Sequence, residues 1–194
     1  MLQVLALSVL RYSLVPLALL FLMCSCAGGG VPPEGPRKEE TVKVKLTSTS
    51  FEDGGMIPPR HTCDGENVSP PLAWGDVPAT AAALALICDD PDAPMGTWVH
   101  WVLYDLPPDI TELTEGVPTQ EVLDSGARQG QNGSRGIGYT GPCPPSGTHR
   151  YYFKLYALDQ KVGLSPGATK SQLLAAMEGH ILAEAQLMGR YKRR

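Results

Sequence analysis

The chain has 194 residues, enough for one domain with a real hydrophobic core, and a net charge of −4. That balance argues against nucleic acid as a partner, because binding a phosphate backbone needs a basic face. The 21 glycines and 18 prolines exceed ordinary usage and favour a loop-rich β fold over a helical bundle.

Residues 1–26 read as a lipoprotein-type signal segment. Arg11 precedes an apolar stretch, Tyr12 to Met23, that is too short to span a bilayer comfortably but suits a signal-peptide core. Cys26 follows the small Ser25 and is the cysteine expected to carry lipid, although Met23 stands where leucine is usual. Residues 27–40, rich in Gly, Pro and charge, read as a tether. The domain at 41–194 is therefore expected to be exported. It would be membrane-attached through its N-terminus in the cell envelope, or otherwise periplasmic or secreted.

Thr41 to Ser48 alternates Val42, Val44 and Leu46 with polar residues, the pattern of a half-exposed strand. Glu52 to Pro71 is a long Gly/Pro loop, long enough to suggest a function of its own. Ala81 to Cys88 is continuously apolar and fits helix or buried strand by periodicity. The Pro-bracketed loop and strand pattern after it favour strand. Trp98 to Leu106 is apolar on both faces apart from His100 and predicts a central strand. Ser125 to Gly141 shows no periodicity and reads as loop, and Tyr151 to Leu158 as an aromatic-rich strand. Thr169 with Gln172 forms a capping box. Leu173, Leu174, Met177, Ile181, Ala185 and Met188 then recur at helical spacing, predicting a C-terminal helix, with the basic residues 190–194 as its solvated end. The expected fold is mostly β: an antiparallel β-sandwich with peripheral helices, including that C-terminal one.

Two segments carry the chemistry. Asp89-Asp90-Pro91-Asp92-Ala93-Pro94 leads into the strand holding Trp98 and His100, and Gly141-Pro142-Cys143-Pro144-Pro145-Ser146-Gly147-Thr148 leads into His149-Arg150-Tyr151. Alternation places Trp98 with His100, and His149 with Tyr151, on one face of their respective strands. If the strands meet, they enclose a small aromatic-walled pocket with imidazole and phenol donors and carboxylates at its lip, a shape for a small anion. Gly136-Ile137-Gly138-Tyr139-Thr140-Gly141 matches the dinucleotide fingerprint literally, but Pro142, Pro144 and Pro145 forbid the helix that must follow it. These glycines are expected instead to bring backbone N–H groups to a bound anion. With Cys24 and Cys26 in the leader, Cys63, Cys88 and Cys143 remain. Cys88 reads as a buried thiol. Cys63 and Cys143 lie in loops beside the two motifs, so a Cys63–Cys143 bridge is the expectation in an oxidising compartment. No cofactor and no metal are expected, because no compact ligand spacing is present.

These motifs, with Thr62-Cys63-Asp64-Gly65-Glu66-Asn67-Val68-Ser69-Pro70-Pro71-Leu72 before them and Gly179-His180-Ile181-Leu182-Ala183 after, resemble the phosphatidylethanolamine-binding protein family, in its bacterial Raf-kinase-inhibitor-like branch. The resemblance covers roughly residues 42 to 191. It implies two packed antiparallel sheets, C-terminal helices and a pocket at one end for phosphate-like anions, including phosphoethanolamine head groups. By that resemblance Asp90, His100, Pro145, His149 and Tyr151 line the pocket. Asp90 would orient His100, His149 and Tyr151 would donate to the anion, Trp98 and Pro145 would form walls, and Ala93–Pro94 would suit a cis bond. His61 and His180 read as structural. The function expected is a non-catalytic binding module that acts, if on a protein, by binding it. The alternatives are a hydrolase using Cys143 or Ser146 with a histidine and Asp90, or a protease-inhibitor-like protein acting through its surface.

Overall fold

The computed structural model describes residues 44–193; the expected signal segment, tether and lipidation at Cys26 fall outside them. The described residues form strands β1 (Lys45–Thr47), β2 (Leu72–Gly75), β3 (Ala83–Asp90), β4 (Trp98–Leu106), β5 (Glu112–Leu113), β6 (Arg128–Gln129) and β7 (His149–Leu158), then one α-helix, α1 (Lys170–Met177), and a last strand, β8 (Ile181–Tyr191). They form two antiparallel sheets, a small one ordered β1-β2-β5 and a large one ordered β6-β4-β3-β7-β8.

The main core lies between the sheets, where Leu46, Leu72 and Trp74 of the small sheet meet Leu84, Leu86, Trp101, Leu103, Phe153 and Leu155 of the large one. Each such side chain contributes about 1.5–3 kcal/mol when fully buried. A second core, with Ala85, Ile87, Val102, Tyr104, Leu173 and Met177, covers the opposite face of the large sheet beneath α1. This explains the unbroken apolar run of β3. It is the middle strand, every one of its residues is buried, and both of its faces are covered.

The helix is shorter than its periodicity predicts. The capping box forms as expected, Thr169 and Gln172 bonding reciprocally. The chain then turns at Gly179, with φ 80°, and Ile181 to Tyr191 runs as an edge strand along the whole of β7. Ala183, Ala185 and Leu187 also recur with period two, and burial of that stripe against the main core prevails over the weaker helical reading. The basic tail is thus no helix end: Arg190 sits in β8, and Arg193 Nε donates to Asp64 at 3.1 Å. The stretch 125–141, expected to be loop, contains β6. There Gln129, fully buried, accepts from Trp101 Nε1 at 2.8 Å and donates to the Pro118 and Gln120 carbonyls.

Two bulges interrupt the β3–β4 ladder. Between Cys88↔Trp101 and Asp89↔Val99, β4 holds one residue with no partner, His100. An extra residue of this kind re-aims side chains without ending the strand. Trp101 therefore turns into the main core while His100, its neighbour, faces the open end of the same layer beside Tyr151.

Candidate functional site

The site lies where β3, β4 and β7 reach the same end of the sandwich. It is a cavity of about 300 Å³ lined by Asp90, Trp98, His100, Thr140, Gly141, Cys143, Pro145 and His149, with Pro94, Met95 and Ser134 at its sides. The two histidines come from strands separated by β3, so neither local sequence nor one hairpin could bring them together. Six of the seven residues expected to bind ligand line this cavity. The seventh, Tyr151, lies fully buried behind His100, ring against ring with centroids 5.1 Å apart, and its hydroxyl has no hydrogen-bond partner. Burial pushes that phenol well above its ordinary range.

The hydrogen bonds differ from those expected. Asp90 orients His149, not His100: its Oδ2 accepts from His149 Nδ1 at 2.7 Å, and its Oδ1 accepts from the Asp92 N–H at 2.8 Å. His100 instead donates from Nδ1 to the Thr140 carbonyl at 2.7 Å, a bond whose direction is unambiguous because a carbonyl only accepts. The bulge and the descent of the 136–141 segment across β4, secured by the Thr140 N–H to the His100 carbonyl, account for the exchange of partners. Burial pulls the His100 pKa below its usual 6.5, opposed by the Thr140 bond and by Asp90. Both rings thus have Nδ1 fixed, and neither Nε2 has a hydrogen-bond partner among the described residues.

The glycine segment serves as wall and not as donor. The Gly141 N–H donates to Asn67 Oδ1 at 2.7 Å, that of Gly136 to Asn132 Oδ1 at 3.0 Å, and that of Gly138 faces the Gly130 carbonyl at 3.5 Å. Glycine is required at 141 for closeness: a Cβ there would stand 2.5 Å from the His61 carbonyl oxygen and 2.8 Å from Thr62 Cα. Likewise a Cβ on Gly133 would meet the Trp98 ring at 2.5 Å, so this glycine lets the loop lie against the indole that walls the cavity.

The turn between β3 and β4 is closed by the Asp92 N–H on Asp90 and by the Gly96 N–H on the Ala93 carbonyl. The Ala93–Pro94 bond, expected to suit cis, is trans, as is every described peptide bond. Arg150 clamps Asp92 bidentately, at 2.6 and 2.9 Å, and holds its carboxyl down to about 2. Among the described residues, no lysine or arginine lines the cavity.

Cys63 and Cys143 are bridged, joining the 59–69 loop to the pocket wall. Cys143 therefore has no thiolate with which to act as a nucleophile, and Ser146 is not among the residues lining the cavity. Cys88 is a buried free thiol, with its pKa raised by burial. His61, held by Val68 O and Ser50 Oγ, and His180, beside Asp159, lie outside the cavity. No cluster of metal-ligating residues occurs among the described residues. Sequence reasoning missed Thr140, whose carbonyl fixes His100. The signal available was its place between Gly138 and Gly141 in a segment able to approach a strand closely. A larger cavity, about 430 Å³, opens between Gly133 and the start of α1; it holds no histidine or carboxylate, and its one cation, Lys170, is bonded to Asp89.

Comparison with known proteins agrees with this fold. A protein of Methanothermobacter thermautotrophicus designated UPF0098 is 57% identical over 150 residues, covering 77% of this chain and 99% of its own. The crystal structure of the phosphatidylethanolamine-binding protein homologue CT736 from Chlamydia trachomatis superposes with a TM-score of 0.74 at 45% identity, covering 79% of this chain and 99% of that one. That of Escherichia coli YbcL, described as a member of the mammalian family, gives 0.73 at 29% identity, covering 78% and 99%. The family model for the phosphatidylethanolamine-binding protein matches residues 47–192, and with relatives this close over nearly the whole described domain, the chain belongs to the phosphatidylethanolamine-binding protein family.

Proposed function

We propose that this protein is an exported, membrane-tethered binding protein, without catalytic activity, whose pocket takes the phosphate of a head group or of a phosphorylated partner. The observation that carries the reading is the paired imidazoles. His100 and His149, each with Nδ1 anchored, open Nε2 into one cavity of about 300 Å³, the lower end of the range for small-molecule sites. Trp98, Pro94 and Pro145 supply apolar walls that exclude water and strengthen polar contacts inside. The hydrolase alternative loses its thiol, since the Cys143 sulfur is bonded to Cys63, and Ser146 is not among the residues lining the cavity. Tethering through Cys26 would present the pocket to groups at the envelope surface, where a phosphorylated head group or a phosphorylated protein is within reach.

Calorimetric titration of the full-length protein with phosphoethanolamine and with inorganic phosphate tests this, for wild type and His149→Ala. Saturable binding that the variant loses is the expected result. Absence of saturable binding to both ligands refutes the anion-pocket reading. Radiolabelled palmitate incorporation, lost in Cys26→Ser, tests the tether.

A further inference from the structure

Charge is placed unevenly along the chain. No lysine or arginine lies between Arg60 and Arg128, and the only acidic residues after Arg128 are Asp159, Glu178 and Glu184. The fold therefore sets cations from the later elements against carboxylates from the earlier ones. Two such cations meet one carboxylate on the face of the large sheet that turns away from the main core, beside the start of α1. A cavity of about 310 Å³ opens there, lined by Asp89, Thr97, Tyr152, Lys154, Lys170 and Gln186. It shares no lining residue with the cavity that holds His100 and His149.

In this cavity cations outnumber carboxylates. Lys154 Nζ on β7 donates to both oxygens of Asp89, at 3.0 and 3.2 Å, and Lys170 Nζ donates to Oδ2. Neighbouring acids do not close the difference. Asp90 is engaged by the Asp92 N–H and His149, and Asp92 is clamped by Arg150. Glu184 on β8 forms no ion pair among the described residues. Lys170 is also the first residue of α1, where the helix dipole favours an acid, and that first turn contains none. Both lysine side chains reach solvent, at 32% and 23% exposure. Each ammonium has three donors, so N–H bonds remain that Asp89 does not use. The Thr97 hydroxyl and the Gln186 amide have no hydrogen-bond partner among the described residues and add donors to the same space. The Tyr152 ring, with Arg150 at 5.9 Å and Lys154 at 5.7 Å from its centroid, holds the Lys154 side chain in place.

We propose that this cavity binds the carboxylate of an acidic ligand, which bridges Lys154 and Lys170 on the solvent side as Asp89 bridges them on the protein side. The second carboxylate closes a square of alternating charges, and Thr97 and Gln186 donate to its oxygens. The site goes beyond the anion-pocket reading and does not depend on it, because none of its residues lines that pocket. A free small acid and a glutamate side chain on a partner protein offer the same chemistry. Binding is weak, because partly exposed ion pairs each contribute little.

The test follows the lysine Nζ signals of the full-length protein by NMR during titration with malonate, and with a blocked Gly-Glu-Gly peptide, at constant ionic strength in chloride. The expected result is saturable shifts at Lys154 and Lys170, with Lys45, Lys161 and Lys192 unmoved, and the same shifts in His149→Ala. Lys154→Met should weaken binding about fivefold or more, the equivalent of one exposed ion pair. That change takes a partner from buried Asp89 and can unfold the domain, so Gln186→Glu gives an independent result. Gln186 is exposed and directly opposite Lys154 in the ladder, so a carboxylate there should fill the site from within the chain. It should abolish the malonate shifts and raise Tm by about 1–3 °C. Tighter binding of the peptide would assign the site to a partner's acidic side chain, and of malonate to a free small acid; either supports it. Absence of saturable shifts, or equal movement of all lysines, overturns the proposal. Undiminished shifts in Gln186→Glu overturn it too, and shifts lost in His149→Ala would move the anion to the other cavity. None of these outcomes bears on phosphoethanolamine binding, so this inference and the anion-pocket reading fail separately.

Discussion

Breaking the Cys63–Cys143 bridge should cost the domain stability by an amount set by loop length. The cysteines are 80 residues apart, and closing a loop of that size in the unfolded chain corresponds to about 4.5 kcal/mol in the chain-entropy model. Measured values fall below that model, so a loss of about 2–4 kcal/mol is expected. For a domain of this size that is a fall in Tm of roughly 5–15 °C. The assay is thermal melting of the wild type with and without dithiothreitol, beside Cys63→Ser/Cys143→Ser. Cys88 is a suitable internal control, since its thiol is buried and should resist alkylation in the native state. The pocket should loosen but survive. The same junction is held by the Cys63 N–H on the Pro142 carbonyl at 3.1 Å, the Gly141 N–H on Asn67 at 2.7 Å and the Tyr139 hydroxyl on the His61 carbonyl at 2.7 Å. Ligand affinity should therefore weaken a few-fold only. A double-serine variant melting within about a degree of wild type would refute the stability argument, and two alkylatable thiols at 63 and 143 in the native protein would refute the bridge itself.

Three further outcomes follow from the site. His100 resists protonation in the folded state, so the unfolded chain binds more protons as pH falls below about 6.5; stability in urea should be fully present above that pH and decline beneath it, and His100→Gln should flatten this limb. Gly141→Ala places a methyl 2.5 Å from the His61 carbonyl oxygen and should destabilise by about 1–3 kcal/mol; an unchanged melting temperature would show that the wall yields. Tyr151→Phe removes a buried hydroxyl that has no partner and should leave stability equal or raise it by about 1 kcal/mol, with ligand affinity unchanged; a clear loss of affinity would place that hydroxyl in contact with the ligand.

What could be read in the sequence was what local chemistry determines. Pro91, Pro94, Pro144 and Pro145 exclude helix around both motifs, alternation puts Trp98 with His100, and the loop positions of Cys63 and Cys143 suggest their pairing; the structure agrees on each. What could not be read depends on register between distant strands. Asp90 lies near both histidines in the ladder, and only the bulge at His100 and the approach of Thr140 decide that it serves His149. The amides at 136–141 look available in sequence, yet Asn67 and Asn132 occupy two of them. Residues 181–188 satisfy a helical and a strand period at once, and the ten-residue pairing with β7 settles the matter. Tyr151 shares its face with His149, but the pocket ends between them, a boundary that no periodicity carries.

The pair Asp89–Asp90 shows how one strand end serves both the fold and the pocket. The two carboxylates are adjacent, both buried, and on opposite faces of β3. Asp89 faces the second core, where Lys154 holds it at 3.0 and 3.2 Å and Lys170 joins from the start of α1, so its charge is compensated by two cations that also fasten the helix to the sheet. Asp90 faces the cavity, where its partners among the described residues are one backbone N–H and one imidazole. Asp89 thus meets two lysine cations that tie helix to sheet, whereas Asp90 meets a backbone N–H and the His149 imidazole at the cavity. A slip of one residue in β3 would exchange the two faces, placing the lysine-paired carboxylate in the pocket and the histidine-paired one under α1. The fully buried Leu84, Leu86 and Ile87 oppose that slip, and so the packing that stabilises the fold also keeps the Asp90 carboxylate against His149.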